Sequence, residues 1–575
     1  MLLCVWCVGI FGRGYWTPDE PREADLAWRM SWQKDKAVPQ LAGEPFCEKP
    51  PLTYWLAALP LELFHSKAAW AARLPNLLYA VIAALGAGAL ARRAAGPFAG
   101  WVGAAAMGTF LLSYQVVIWL ATDAPLLAAA SVALLGAYRG FYAAGTRERL
   151  RGYLLMHAAL GLGFLSKSAV AWMVPALTLA TLVIWERRWR ELARWELYAG
   201  LVLQAAMILA WIAFVYAGPD GAARLKVFFW NNLVGRFTRI DAPEELQYAG
   251  GHRNSPGKYL IELPVYLAPW TLLVAAAARR AWRERATPSS GRRAVRFALA
   301  ASMPSLAILS VAATARNVYM APALPGFALL LAWWAQQVRA DADRWDFVAL
   351  RATAVLLLSG VAACVAALGL IAGDAWNTVE SHAAFIGISA AGLVAASALA
   401  ASSLAVSALA SRAATVPDRL PRALASLFFA YGALLLGPAS QIYRQVDSWQ
   451  NLAAIAQAIE HDAGGKPLIL FAPDETTRAV IDMFARTSVE LIRGPMDRGA
   501  VDGLRAAVEA APQTLIVAQL QGGAGGAAQR FDQLLGKPPR APAGEPEWAA
   551  AANLRLWKTY ALPNGRRYGL LELTP

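Results

Sequence analysis

The sequence predicts a polytopic α-helical membrane protein with a soluble α/β domain at its C-terminal end. Hydrophobic residues make up 58% of the 575 and charged residues 16%, far from the usual soluble balance of about half and a quarter. Apolar runs of about 17 to 25 residues recur along the first three quarters of the chain, each long enough to cross roughly 30 Å of hydrocarbon. They are too many for a signal peptide. From Gln441 onward the runs give way to short apolar strands and amphipathic helices.

The basic residues order the spans. Arg92 and Arg93, Arg139 to Arg151, Arg187 to Arg194, Arg279 to Arg293, Arg339 with Arg344, and Arg412 to Arg422 fall between apolar runs and read as cytoplasmic connections. The intervening connections, 13–73, 114–123, 166–168, 216–258, 313–318 and 373–382, are less basic and read as the outer face. This alternation gives about thirteen spans, the last running outward near 423–440. The division is a membrane domain over 1–440, with outer loops at 13–73 and 216–258, and an outer α/β domain over 441–575. Met1 to Phe11 offers only about eleven residues, too few to cross alone, so further apolar residues are expected ahead of Met1. The net charge of +14 is spread over these connections, which argues for topology and against nucleic acid. The four cysteines, Cys4, Cys7, Cys47 and Cys364, form no disulfide framework.

In the C-terminal region Lys466 to Ala472 and Gln513 to Ala518 read as strands, and Asn451 to Glu460 and Val501 to Ala510 as helices. Gly522-Gly-Ala-Gly-Gly follows a strand, but it lacks both a Lys-Ser/Thr ending and the G-x-G-x-x-G spacing, and reads as a turn.

The chemistry concentrates in the first outer loop, Tyr15-Trp-Thr-Pro-Asp-Glu-Pro-Arg-Glu-Ala-Asp, which closes on Glu48-Lys-Pro-Pro. Taken alone, Asp19 and Glu20 suit a first helical turn after a Thr17 cap and Pro18. They do not stand alone. Glu48 and Lys49 end the same loop, Asp123 opens the fourth span, and Arg73 and Lys167 stand at span ends facing the same side. Single ionisable groups at span ends snorkel, whereas several on one face suggest a site. Cations neutralise a phosphate leaving group; carboxylates hold a metal, orient an amine, or stabilise positive charge at an anomeric carbon.

Pro18-Asp-Glu-Pro-Arg, Glu48-Lys-Pro-Pro, Arg73-Leu-Pro-Asn, Thr122-Asp123 and Ser166-Lys167 resemble the bacterial 4-amino-4-deoxy-L-arabinose lipid A transferases (ArnT-like) and, more distantly, the protein O-mannosyltransferases. Ser166-Lys-Ser stands where the family pattern leads one to expect Thr-Lys-Gly. The resemblance implies a GT-C glycosyltransferase fold and inverting transfer of the sugar from undecaprenyl phosphate to a lipid A phosphate, at the periplasmic side of the inner membrane. It implies Asp19 as the essential acid, Asp123 orienting the loop or sugar, and Lys49, Arg73 and Lys167 as phosphate ligands. Arg316 and Tyr319 resemble a further substrate position, joined by Glu20 and Glu48. An acceptor phosphate is already ionised, so positioning or electrostatics suits Asp19 better than proton abstraction. In the long outer loop, Phe228 to Phe237 is aromatic and basic; it suits interfacial anchoring, with Arg236 or Arg239 touching a lipid phosphate. Glu48 and His252 are the candidate ligands of a divalent cation. The expected partners are the carrier-linked sugar, lipid A and membrane lipids, with the chain acting as a monomer.

Two other readings compete. One keeps the fold and changes the carrier sugar, with a protein or glycan acceptor. The other is a secondary transporter or flippase, which favours inverted repeats and charges near the midplane. No such symmetry is visible in the sequence, and the charges gather at one surface.

Overall fold

The computed structural model describes residues 1–236, 254–285, 291–312, 316–410, 416–492, 498–521, 528–537 and 546–574. Among them eight helices are long and apolar enough to cross a membrane, or up to ten if each of two bent pairs is one span. The expected count was about thirteen, and the difference has physical causes. Pro97–Thr109 and Leu111–Ile118 meet at 59°, and Lys258–Tyr266 and Thr271–Arg283 at 113°, so two apolar stretches are each divided. Helix α1, Leu2–Phe11, has only 10 residues, and Val170–Trp185 has 16.

The first outer loop is largely helical. Helix α2, Glu20–Trp32, begins directly after Asp19, and Leu52–Leu63 follows the Lys-Pro-Pro segment. Thr17 is not the cap: Asp19 occupies that position, with no capping bond from its side chain.

Helices α3, Asp123–Phe141, and α4, Thr146–Lys167, are joined by a short connection and run antiparallel. They press together where side chains are missing, and a Cβ on Gly152 would collide with the backbone of Gly140. Because Asp123 opens α3 and Lys167 closes α4, the hairpin brings both to one end of the bundle.

The last long apolar helix continues from Arg419 to Gln450, its final segment being α5, Ser440–Gln450. Beyond it lies a five-stranded sheet of β1 (Leu468–Phe471), β2 (Val489–Ile492), β3 (Leu515–Gln521), β4 (Leu554–Ala561) and β5 (Arg567–Leu573). Their order is β2-β1-β3-β5-β4, with the first three parallel and β5 antiparallel to both neighbours. Alternate residues face opposite sides of a strand. Leu468 and Leu470 accordingly pack under α6 (Leu452–Ala463) and α7 (Glu475–Phe484), while Ile469 and Phe471 pack against α8 (Arg498–Ala510). The glycine-rich segment after β3 lies outside the described residues.

Candidate active site

A cavity of about 330 Å³ opens where alternate connections of the bundle meet. Asp19, Arg22 and Glu23 line it from the start of α2, Glu48 and Lys49 from the following segment, Asp123 and Lys167 from the α3/α4 hairpin, and Arg316 and Tyr319 from the stretch before Leu324. Residues three and four apart share a helix face, whereas a neighbour lies about 100° round. Asp19, Arg22 and Glu23 therefore look into the cavity and Glu20 does not.

Each basic group in the cavity has an acidic partner. Arg316 grips Asp19 with both terminal nitrogens, Nη1 donating to Oδ1 at 3.2 Å. Lys49 Nζ donates to Glu23 Oε1 at 2.6 Å, and the hydroxyl of Tyr54 donates to the other oxygen at 2.9 Å. Lys167 pairs with Asp123 and lies 4.9 Å from the centre of the Tyr319 ring, a cation–π contact. Arg22 stands 3.2 Å from Glu23 and 3.7 Å from Asp19.

Burial pushes the Asp19 carboxyl up, but Arg316, aided by Arg22 and Lys49, holds it below the usual carboxylate range. Burial likewise works against ionised Glu23, and Lys49 and Arg22 overcome it. Both acids are thus kept charged in a partly dry cleft by cations that a ligand can redirect.

Two expected site residues lie elsewhere. Glu20 and Arg73 are fully buried against each other behind the cavity wall. Glu20 Oε1 accepts from Arg73 Nε at 2.8 Å, Arg13 Nη2 at 3.0 Å and the Leu120 amide at 2.8 Å, while Oε2 accepts from the Trp16 amide at 2.9 Å. Arg73 also donates to the carbonyls of Arg13 and Gly14. This cluster ties the first loop to the segment before Asp123: Glu20 and Arg73, expected to face substrate, direct their hydrogen bonds to the scaffold here. Neither lines the cavity.

Arg236 ends a short turn, Val234–Arg236; Arg239 and His252 lie outside the described residues. Among the described residues no group of three or more His, Cys, Asp or Glu gathers to hold a metal. Glu48 lines the cavity, and its carbonyl accepts from Asn232. Sequence reasoning missed Arg22 and Glu23 as cavity residues, although their i+3 and i+4 spacing from Asp19 was a usable signal. It also missed Asn232, which only tertiary folding brings to this wall.

Residues 48–214 match the family model described as dolichyl-phosphate-mannose-protein mannosyltransferase. The undecaprenyl phosphate-alpha-4-amino-4-deoxy-L-arabinose arabinosyl transferase of Pseudomonas paraeruginosa is 29% identical over 64% of this chain and 63% of its own length. That of Pseudomonas aeruginosa is 30% identical over 57% and 56%. The chain thus spans less than two thirds of the length of either relative. Crystal structures of ArnT from Cupriavidus metallidurans, in the apo state and bound to undecaprenyl phosphate, each superpose with a TM-score of 0.66 at 18% identity. They cover 98% and 99% of this chain, and 95% and 96% of their own chains. The shared fold is the GT-C type, a polytopic helical membrane domain followed by a soluble domain.

Proposed function

We propose that this chain, a relative of the undecaprenyl phosphate aminoarabinose transferases within the wider mannosyltransferase superfamily, transfers 4-amino-4-deoxy-L-arabinose from undecaprenyl phosphate to a lipid A phosphate. The observation that carries this reading is the cavity's balanced charge. Four acids, Asp19, Glu23, Glu48 and Asp123, stand among four cations, Arg22, Lys49, Lys167 and Arg316. The donor carries a phosphate and an ammonium, and such a ligand enters a lattice of ion pairs by exchanging partners. Its phosphate draws Lys49 or Lys167, and a released carboxylate receives the amine. A neutral hexose would leave the released carboxylate unpaired, at the cost of a buried charge.

In this mechanism an oxygen of the acceptor phosphate attacks the anomeric carbon. The bond to the carrier oxygen breaks, and its electron pair leaves on undecaprenyl phosphate beside Lys49, with inversion in one displacement. The attacking phosphate needs no base. Asp19, fixed by Arg316, acts by orientation and by stabilising positive charge that develops on the sugar.

The residues lining the cavity lie on connections opposite Arg92, Arg187 and Arg293, so basic-side topology places the cavity and the C-terminal domain at the periplasmic face of the inner membrane. Counting α1, α4 and Val170–Trp185 with the other spans restores about thirteen crossings. The membrane domain then covers 1–440, its outer loops 13–73 and 216–258, and the periplasmic domain 441–575.

The test is lipid A mass spectrometry in a polymyxin-sensitive bacterium lacking its own transferase, supplied with this chain or its Asp19→Ala form. An added aminopentose with the first and none with an equally expressed second is expected. Unmodified lipid A despite donor supply and membrane insertion contradicts the reading.

A further inference from the structure

The loop bearing Asp19 is held from outside the membrane bundle. Thr476, 6% exposed, donates its hydroxyl to the carbonyl of Pro18 at 2.6 Å. Its neighbour Glu475 accepts from Arg22 Nη1 at 2.8 Å. The two contacts bracket Asp19 one residue before and three residues after. Both groups sit in the first turn of α7, whose start is fixed because the Asp474 carboxylate accepts from the Thr477 amide at 2.7 Å.

Further contacts bind the same segment. Asp447 of α5 accepts from the Gly14 amide and from the Trp16 indole, each at 2.7 Å. Arg29 pairs with Asp482, and Arg478 donates to the Leu41 carbonyl at 2.9 Å. The Asp19 side chain makes no capping bond to its own helix, and its carbonyl accepts from the Glu23 amide at 3.1 Å. To these local bonds and the Glu20 cluster, α5 and α7 add a restraint from outside the bundle.

We propose that the C-terminal domain is part of the transfer machinery, with Thr476 and Glu475 as positioning residues that set Asp19 and Arg22 relative to the sugar. This rests on the glycosyl-transfer reading above. A group that only stabilised the fold would act equally on all parts of the cleft. A group acting through Pro18 and Arg22 acts on turnover more than on carrier binding, since Lys49 and Lys167 are held by other partners.

The experiment uses the full chain in lipid nanodiscs as wild type, Thr476→Val and Thr476→Ser. Valine keeps the shape and removes the donor, whereas serine keeps the donor. Thr476→Val is expected to lower kcat by roughly ten- to a hundredfold, a misplacement of about 1 Å costing up to the latter, with KM for the donor and Tm little changed. Thr476→Ser is expected to restore kcat. Amide exchange over residues 15–23 is followed in parallel and should quicken in the valine form alone. Unchanged kcat in Thr476→Val overturns the proposal, as does a fall in kcat that serine does not rescue. If the wild type transfers no aminopentose, the functional reading has failed, and exchange alone decides: quicker exchange in the valine form supports the clamp and equal exchange overturns it.

Discussion

Asp19 and Arg316 lie 297 residues apart in the chain and meet in a two-pronged ion pair at the cavity wall. The pair fixes the protonation of the acid as well as its direction. Burial raises the Asp19 carboxyl and Arg316 brings it back below the usual range. The wild type therefore keeps Asp19 ionised as pH falls, and the acid limb of kcat/KM lies below that of an ordinary carboxylate. In Arg316→Gln burial is unopposed by its strongest partner, so the acid limb of the residual activity moves to higher pH. A pH profile of the two proteins checks the sign.

In the proposed reaction Lys49, which pairs with Glu23 in the cavity, receives the carrier phosphate. A hydrogen bond between charged groups contributes about 1.5–3 kcal/mol. Lys49→Ala is therefore expected to raise KM for the donor by roughly tenfold or more. Steady-state kinetics at varied donor concentration measures this, and a purely kcat effect contradicts it.

Glu20 behaves differently. It is fully buried among Arg13, Arg73 and two backbone amides. Removing one partner of such a group costs about 3–5 kcal/mol, so Glu20→Ala is expected to lose folded protein. Thermal unfolding in detergent reads the loss.

Ser168 closes α4 beside Lys167 with φ 63° and ψ −158°, a region that is essentially glycine's own. The resemblance drawn from the sequence leads one to expect glycine at this position. Ser168→Gly is expected to stabilise the chain by about 1–3 kcal/mol, read as a rise in Tm.

The membrane class, the α/β tail and the first-loop acids were legible because they rest on local signals: apolar run length, strand alternation, and a short acidic motif. Asp123 and Lys167 were legible as span ends, and the tight hairpin of α3 and α4 explains why they meet. The placement of Glu20 and Arg73 behind the cavity wall was not legible because sequence reports that a carboxylate lies near a surface but not which way it turns on its helix. One step of 100° separates Glu20, bound into the scaffold, from Asp19, which faces the cavity. The clamp by Thr476 was invisible for a further reason: it depends on how α7 docks on α2, and no local pattern encodes that contact. The span count was overestimated against the criteria of length and hydropathy because α1 is short and two apolar stretches are sharply bent.

Transfer in proteoliposomes containing the purified chain, lipid A, and either aminoarabinosyl or mannosyl undecaprenyl phosphate decides the sugar and the acceptor together. The aminosugar alone is expected to be transferred and to arrive on a lipid A phosphate, and the transfer is expected to be lost in Asp19→Asn. Transfer of mannose, or of either sugar to a protein instead of lipid A, would contradict the proposed function.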